Sequence, residues 1–292
     1  MDFGTVITAM ATPMDANRAV DYDGAQRLAE YLLANGSDAL VVCGTTGESP
    51  TLSKEEKLKM FAAVLEVAKG KAPVIAGTST YDTAASVELS KKAEALGVDG
   101  LLTVTPYYNK PPQEGVFQHL QAIAQAVSLP VILYNVPSRT NVNLMPQTVA
   151  RLAQIENVVA VKEASSNPEQ VMAIRQCTPP DFIIYSGDDA ETLHVLELGG
   201  IGVISVASHL VGKQIKEMID CYNRDDMAGA QALHEKYGML FKKMFLCANP
   251  IPLKFCLNQL GLPAGPCRLP LCEASADIQE QLVEMLRQYE LQ

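Results

Sequence analysis

Residues 158–163 read Val158-Val159-Ala160-Val161-Lys162-Glu163: four apolar residues, then a lysine and a glutamate. A short unbroken apolar run rich in β-branched residues is the pattern of a strand buried on both faces, as in a parallel sheet. The lysine therefore falls where strand gives way to loop. An ammonium is costly to bury and sheds its proton readily when it is buried. A neutral amine at the end of a buried strand can attack a carbonyl and form a Schiff base. A lone lysine at a strand end is more often a solvated surface charge, and its company in the fold decides between the two.

Working outward, similar runs occur at 5–10, 39–43, 74–77, 100–104, 131–134, 182–185 and 202–206, which with 158–162 makes eight. Segments of helical length separate them: 23–35, 53–69, 83–96, 114–127, 146–154, 168–177 and 189–198. The second opens Ser53-Lys54-Glu55-Glu56, a capping box with Glu56 at its third position. Strand–helix alternation implies parallel strands joined by crossover helices. Eight such units within residues 5–206 point to a (β/α)₈ TIM barrel, an α/β fold, more than to an open sheet. No Gly-x-Gly-x-x-Gly follows the first strand, which argues against a dinucleotide fold. Beyond residue 206 only helices are expected, at 214–224, 227–246, 252–260 and 274–290. The first completes the barrel, so a catalytic barrel is expected over 1–225 and a C-terminal helical region over 226–292.

The net charge of −10 comes without a basic block or basic helix face, which argues against a nucleic-acid partner. It does not exclude small anionic substrates, because local Arg and Lys set the field inside a cleft. Seven cysteines without C-x-x-C spacing read as free thiols, with Cys43 and Cys256 as small buried hydrophobes. The four histidines show no metal-ligand spacing, so no metal is expected. The chain opens Asp2-Phe3-Gly4 with no charged segment ahead of an apolar one, and no apolar run reaches membrane-spanning length. A cytoplasmic protein with no membrane partner is expected.

In a (β/α)₈ barrel, reactive groups collect at the C-terminal ends of the strands. Here those ends run into Gly44-Thr45-Thr46-Gly47-Glu48, Thr105-Pro106-Tyr107-Tyr108-Asn109, Tyr134-Asn135-Val136-Pro137-Ser138-Arg139-Thr140, Lys162 and Ser186-Gly187-Asp188-Asp189. Tyr134, on the strand beside Lys162, is positioned to shuttle protons during imine formation. Gly44-Thr45-Thr46-Gly47 suits a turn whose amides receive a carboxylate. Arg139 can grip a second carboxylate with its planar fork. Each has a plainer reading: rim packing for Tyr107 and Tyr108, a simple turn for the glycines, an exposed ion pair for Arg139. Asp188-Asp189 could be a metal pair, but the start of the following helix suits it better. What favours chemistry is that all of these arrive on one rim.

These motifs, together with Asn249-Pro250-Ile251-Pro252-Leu253-Lys254 and Arg268-Leu269-Pro270, resemble the dihydrodipicolinate synthase / N-acetylneuraminate lyase superfamily over nearly the whole chain. The resemblance is to its synthase branch. It implies the condensation of pyruvate with L-aspartate 4-semialdehyde, at the branch to diaminopimelate and lysine. Lys162 would carry the pyruvate Schiff base and Tyr134 the proton. Thr45 would link Tyr134 to Tyr108, the latter reaching in from a neighbouring subunit. Thr45 and Thr46 would bind pyruvate's carboxylate, Arg139 that of the semialdehyde, and Gly187 and Ile204 would line the pocket through backbone atoms. No metal and no diffusible cofactor is implied. The partners implied are the two substrates and further copies of the chain, as a homodimer or homotetramer.

Feedback-inhibited relatives bind lysine at a dimer interface through an Asn and a Glu that Tyr81 and Ala85 replace here, with Lys54 and Lys57 in place of histidines. Losing a carboxylate partner for a cation costs about 1.5–3 kcal/mol at a partly buried site. Inhibition by lysine is therefore expected to be weak or absent. Two other functions fit the same residues: an aldolase acting on a sugar acid, and a non-catalytic barrel that senses a small oxo-acid.

Overall fold

A computed structural model describes residues 3–291; Met1 and Asp2, at the N-terminus, and Gln292, the last residue of the expected helical region, lie outside them. The elements are β1 (Val6–Ala9), α1 (Tyr22–Ala34), β2 (Ala39–Val42), α2 (Lys54–Ala68), β3 (Val74–Gly77), α3 (Thr83–Leu96), β4 (Gly100–Val104), α4 (Gln113–Ala124), β5 (Val131–Asn135) and the short α5 (Pro137–Thr140). They continue with α6 (Pro146–Leu152), β6 (Val158–Glu163), α7 (Pro168–Cys177), β7 (Ile183–Ser186), α8 (Thr192–Glu197), β8 (Gly202–Ser205), α9 (Ser208–Asn223), α10 (Met227–Lys243), α11 (Ile251–Gln259) and α12 (Ala276–Gln288). The strands are parallel and close in sequence order, β8 pairing back onto β1. This is the expected (β/α)₈ barrel with helices following it.

Two apolar layers result from the period of two along each strand. In β2, Ala39 and Val41 face the barrel interior, where they meet Ile7, Ile75, Ile132 and Ile204. Leu40 and Val42 face outward into the larger core beneath the helices, with Leu28, Phe61 and Met60. Complete burial of one such side chain stabilises the fold by about 1.5–3 kcal/mol. Closure requires glycine at Gly202, where a Cβ would stand 2.0 Å from Thr5 O, just ahead of β1. The expected capping box is formed: Ser53 Oγ accepts from the Glu56 N–H at 3.1 Å, and Glu56 accepts from the Ser53 N–H at 2.8 Å.

α9 differs from expectation, starting at Ser208 rather than residue 214. Its first turn is buried and polar, with Ser208 bonded to Thr8 at 2.8 Å, and Val211 departs from helical geometry (φ −134°, ψ 39°). An amphipathic period cannot be read from a turn with no solvent-facing side. The short α5 also went unexpected, although Pro137 at its first position is a helix-start signal.

Candidate active site

Cavity and amine. β6 carries Lys162 inward at the C-terminal mouth of the barrel, into a cavity of about 140 Å³. Thr45, Thr46, Tyr134, Arg139 and Gly187 share its wall. The Lys162 side chain is 5% exposed, and Nζ lies 4.4 Å from the centroid of the Tyr134 ring. That proximity follows from register, because Tyr134 and Lys162 are cross-strand partners on β5 and β6. Burial lowers the Lys162 pKa to about 8; the Asp189 carboxylate works against this and the Arg139 guanidinium with it. Burial also raises the Tyr134 pKa, opposed by the charge of Arg139 and a hydrogen bond to the Thr45 side chain. The pair is thus an amine that gives up its proton more readily than an ordinary lysine, beside a protonated phenol.

The turn after β2 brings Thr45 and Thr46 to the opposite wall. Glu48 N–H donates to Thr45 O at 3.0 Å, and the Ser49 N–H to Gly44 O at 3.2 Å. Cys43 (φ 57°) and Glu48 (φ 56°) bracket the turn in left-handed conformations that few non-glycine residues adopt. Gly77 on β3 permits this, since a Cβ there would lie 2.4 Å from Cys43 O. Thr46 Oγ1 accepts from Asn249 Nδ2 at 3.0 Å. Arg139 projects from α5 at the mouth, where it also borders an adjoining cavity of about 200 Å³ that reaches Ser79 and Tyr107.

Three expectations need correction or refinement. The Ile204 side chain is fully buried in the barrel interior, and Val206, two positions along, lines the cavity. Asp189 does not sit at an exposed helix start. It is buried and accepts from the Val206 and Ala207 N–H groups at 3.0 and 2.9 Å and from the Ser205 hydroxyl, tying the β8 exit to β7. Asp188 does cap the turn, accepting from the Ala190 N–H at 2.9 Å, and also faces the cavity. Among the described residues, no cluster of three or more His, Cys, Asp or Glu could hold a metal. Tyr108 is not in the cavity of its own chain: it is 87% exposed, with φ 72°. Its neighbour Tyr107 is half-buried, edge-on to Tyr81 at 5.3 Å.

Sequence reasoning missed Phe245, Asn249 and Ser138 on the cavity wall. Asn249 had a signal, since it begins one of the motifs in the helical tail, but nothing in its spacing places it over the barrel mouth. A larger groove of about 540 Å³ lies among the C-terminal helices, away from Lys162, Tyr134 and Arg139.

Comparison with known proteins gives a consistent result. Residues 2–289 match the model of the dihydrodipicolinate synthetase family. A curated 4-hydroxy-tetrahydrodipicolinate synthase from Moorella thermoacetica is 52% identical over 288 residues, covering 99% of each chain. One from Desulforamulus reducens is 53% identical over 277 residues, covering 94% of each. The solved dihydrodipicolinate synthase from Cyanidioschyzon merolae, with lysine bound, superposes with a TM-score of 0.98 at 47% identity over 99% of both chains. The chain belongs to the dihydrodipicolinate synthetase family.

Proposed function

We propose that this protein is a Schiff-base-forming lyase that condenses pyruvate with L-aspartate 4-semialdehyde, as 4-hydroxy-tetrahydrodipicolinate synthases do. The observation that carries the reading is the buried Lys162 amine, with a pKa lowered to about 8, facing a small polar cavity. At neutral pH about a tenth of such an amine is uncharged, several hundred times the fraction of an ordinary lysine.

Lys162 Nζ attacks the C2 carbonyl of pyruvate, and loss of water leaves the protonated imine. That imine withdraws electrons from C3, which releases a proton to give an enamine; the enamine then attacks the aldehyde carbon of the second substrate. The intermediate is its own electron sink, so the reaction calls for no cofactor. Thr45 and Thr46 seat pyruvate's carboxylate, and Gly187 lines the pocket through its backbone atoms. Tyr134, kept protonated by burial, moves protons on and off the departing oxygen. Arg139, at the mouth, receives the carboxylate of the semialdehyde. Tyr108 points away from its own cavity and completes the relay through Thr45 in a second copy of the chain, so a dimer is the smallest active unit and a tetramer pairs two of them. Among the described residues, no helix is long and apolar enough to cross a membrane, in keeping with a cytoplasmic enzyme. The barrel through residue 225 supplies the reacting groups, and the region after it closes their mouth.

A substrate panel tests this. With pyruvate present, aspartate semialdehyde should be consumed, while N-acetylneuraminate and 2-keto-3-deoxygluconate should not be cleaved. Turnover of a sugar acid in preference to the semialdehyde would reassign the substrate.

A further inference from the structure

The turn that bears Thr45 and Thr46 is gripped from outside at three successive residues. Asn249 holds Thr46 through its side-chain amide. Thr12 donates its hydroxyl to Gly47 O at 2.7 Å. Lys254 on α11 holds Glu48 by an ion pair of 2.8 Å, with side chains 2% and 1% exposed. The same ammonium donates to Thr12 O at 3.1 Å and to Pro266 O at 2.7 Å, which uses all three of its donors. The second Glu48 oxygen accepts from the Arg268 N–H at 2.8 Å.

A buried ion pair is a weak source of net stability, because desolvation offsets the attraction; its use lies in direction and intolerance of substitution. Glu48 is also left-handed, a conformation that persists only where the surroundings over-determine it. Neither Glu48 nor Lys254 lines the cavity. Both therefore act through the turn, not on the reacting atoms.

We infer that Glu48 and Lys254, with Thr12, are positioning residues that set the carboxylate seat, so that the C-terminal helices determine how pyruvate is presented to Lys162. The inference rests on reading that turn as pyruvate's seat. Freed from Lys254, the turn relaxes and the seat shifts relative to Nζ. Recognition of pyruvate suffers first, whereas the site of Arg139, on α5, does not.

The test is borohydride trapping of pyruvate on the full chain, with rate followed against pyruvate concentration. In Lys254→Met, half-saturating pyruvate should rise about tenfold, while KM for aspartate semialdehyde moves less than about twofold. Thr12→Val leaves the ion pair intact and removes only the bond to Gly47, and should raise half-saturating pyruvate about threefold. If Lys254→Met does not fold, Thr12→Val decides. Lower melting temperatures with unmoved pyruvate saturation would mean that the pair serves the fold alone, and would overturn the inference. The parent protein is the control: no adduct there fells the reading of the site, and this inference with it.

Discussion

Lys162 is held at a cost. Its folded-state pKa of about 8 lies below the ordinary value of 10.5. Between those values the unfolded chain binds more protons than the folded one, so this residue makes stability rise with pH across that window. Below about pH 8 the fold bears the full cost of the buried charge, about 3 kcal/mol. Lys162→Met is therefore expected to be more stable than the parent at pH 7 by up to about 3 kcal/mol, with the two converging above about pH 10.5. Urea denaturation at both pH values measures the difference. A variant less stable than the parent at pH 7 would show that the amine carries no such cost. A lysine at a strand end is by itself more often a solvated charge; the sequence pointed to this residue because Thr45, Tyr134 and Arg139 are expected on the same rim. It could not identify Asp189 as a buried partner field, because an aspartate before a helix has an ordinary capping reading.

Strand elements were legible because burial on both faces leaves an unbroken apolar run, and the inner and outer halves of that run need no separate signal. β5 and β6 show how pairing then builds the site. Once they are neighbours, Tyr134 meets Lys162 inside the barrel, and Asn135 meets Glu163 outside it. There Glu163 accepts from Asn135 Nδ2 at 3.1 Å, Gln170 Nε2 at 3.0 Å and the Ser165 N–H at 2.7 Å. The start of α9 was not legible, since its buried polar residues bond to other elements and follow no helical period. His209 is the clearest case. Its Nδ1–H donates to Val206 O at 2.8 Å, and Nε2 accepts from the Ala11 N–H at 3.1 Å, joining the ends of β8 and β1. That arrangement requires a neutral ring, and burial lowers its pKa from 6.5 to about 4. The unfolded chain binds more protons between those values, so stability should be lost as pH falls through them, by about 3 kcal/mol from this ring. His209→Gln is expected to flatten the loss of stability between pH 6.5 and 4 relative to the parent. Parallel stability–pH curves for the two proteins would remove His209 from the acid response.

At the scale of the whole molecule, Tyr108 is exposed and stands outside its own chain's cavity, and the relay proposed above has it serve a second copy. Co-expressing Lys162→Ala with Tyr108→Phe should then restore activity, because a mixed dimer holds one site with both native residues. Random pairing gives about a quarter of parental activity, against near-inactive separate variants. No recovery on mixing would place Tyr108 in its own chain's chemistry or outside it. Regulation belongs to the same scale. The Cyanidioschyzon merolae structure holds lysine. Here Tyr81 and Ala85 are both exposed, and Lys54 is paired with Glu88 at 3.0 Å. With a carboxylate missing and cations nearby, lysine is expected to inhibit turnover at fixed pyruvate weakly or not at all, without reaching half-inhibition below millimolar concentration. Half-inhibition below that would show that other groups supply the recognition. Assembly of this kind was open to sequence reasoning only through resemblance, since no local pattern tells a side chain to cross an interface.

The most direct measurement is to incubate the protein with pyruvate, reduce with borohydride and map the modified peptide by mass spectrometry. The expected product is a single adduct on Lys162, heavier by pyruvate less one oxygen atom, and absent from Lys162→Ala. No adduct, or one distributed over exposed lysines with Lys162 untouched, would contradict a neutral, carbonyl-capturing amine at the barrel mouth.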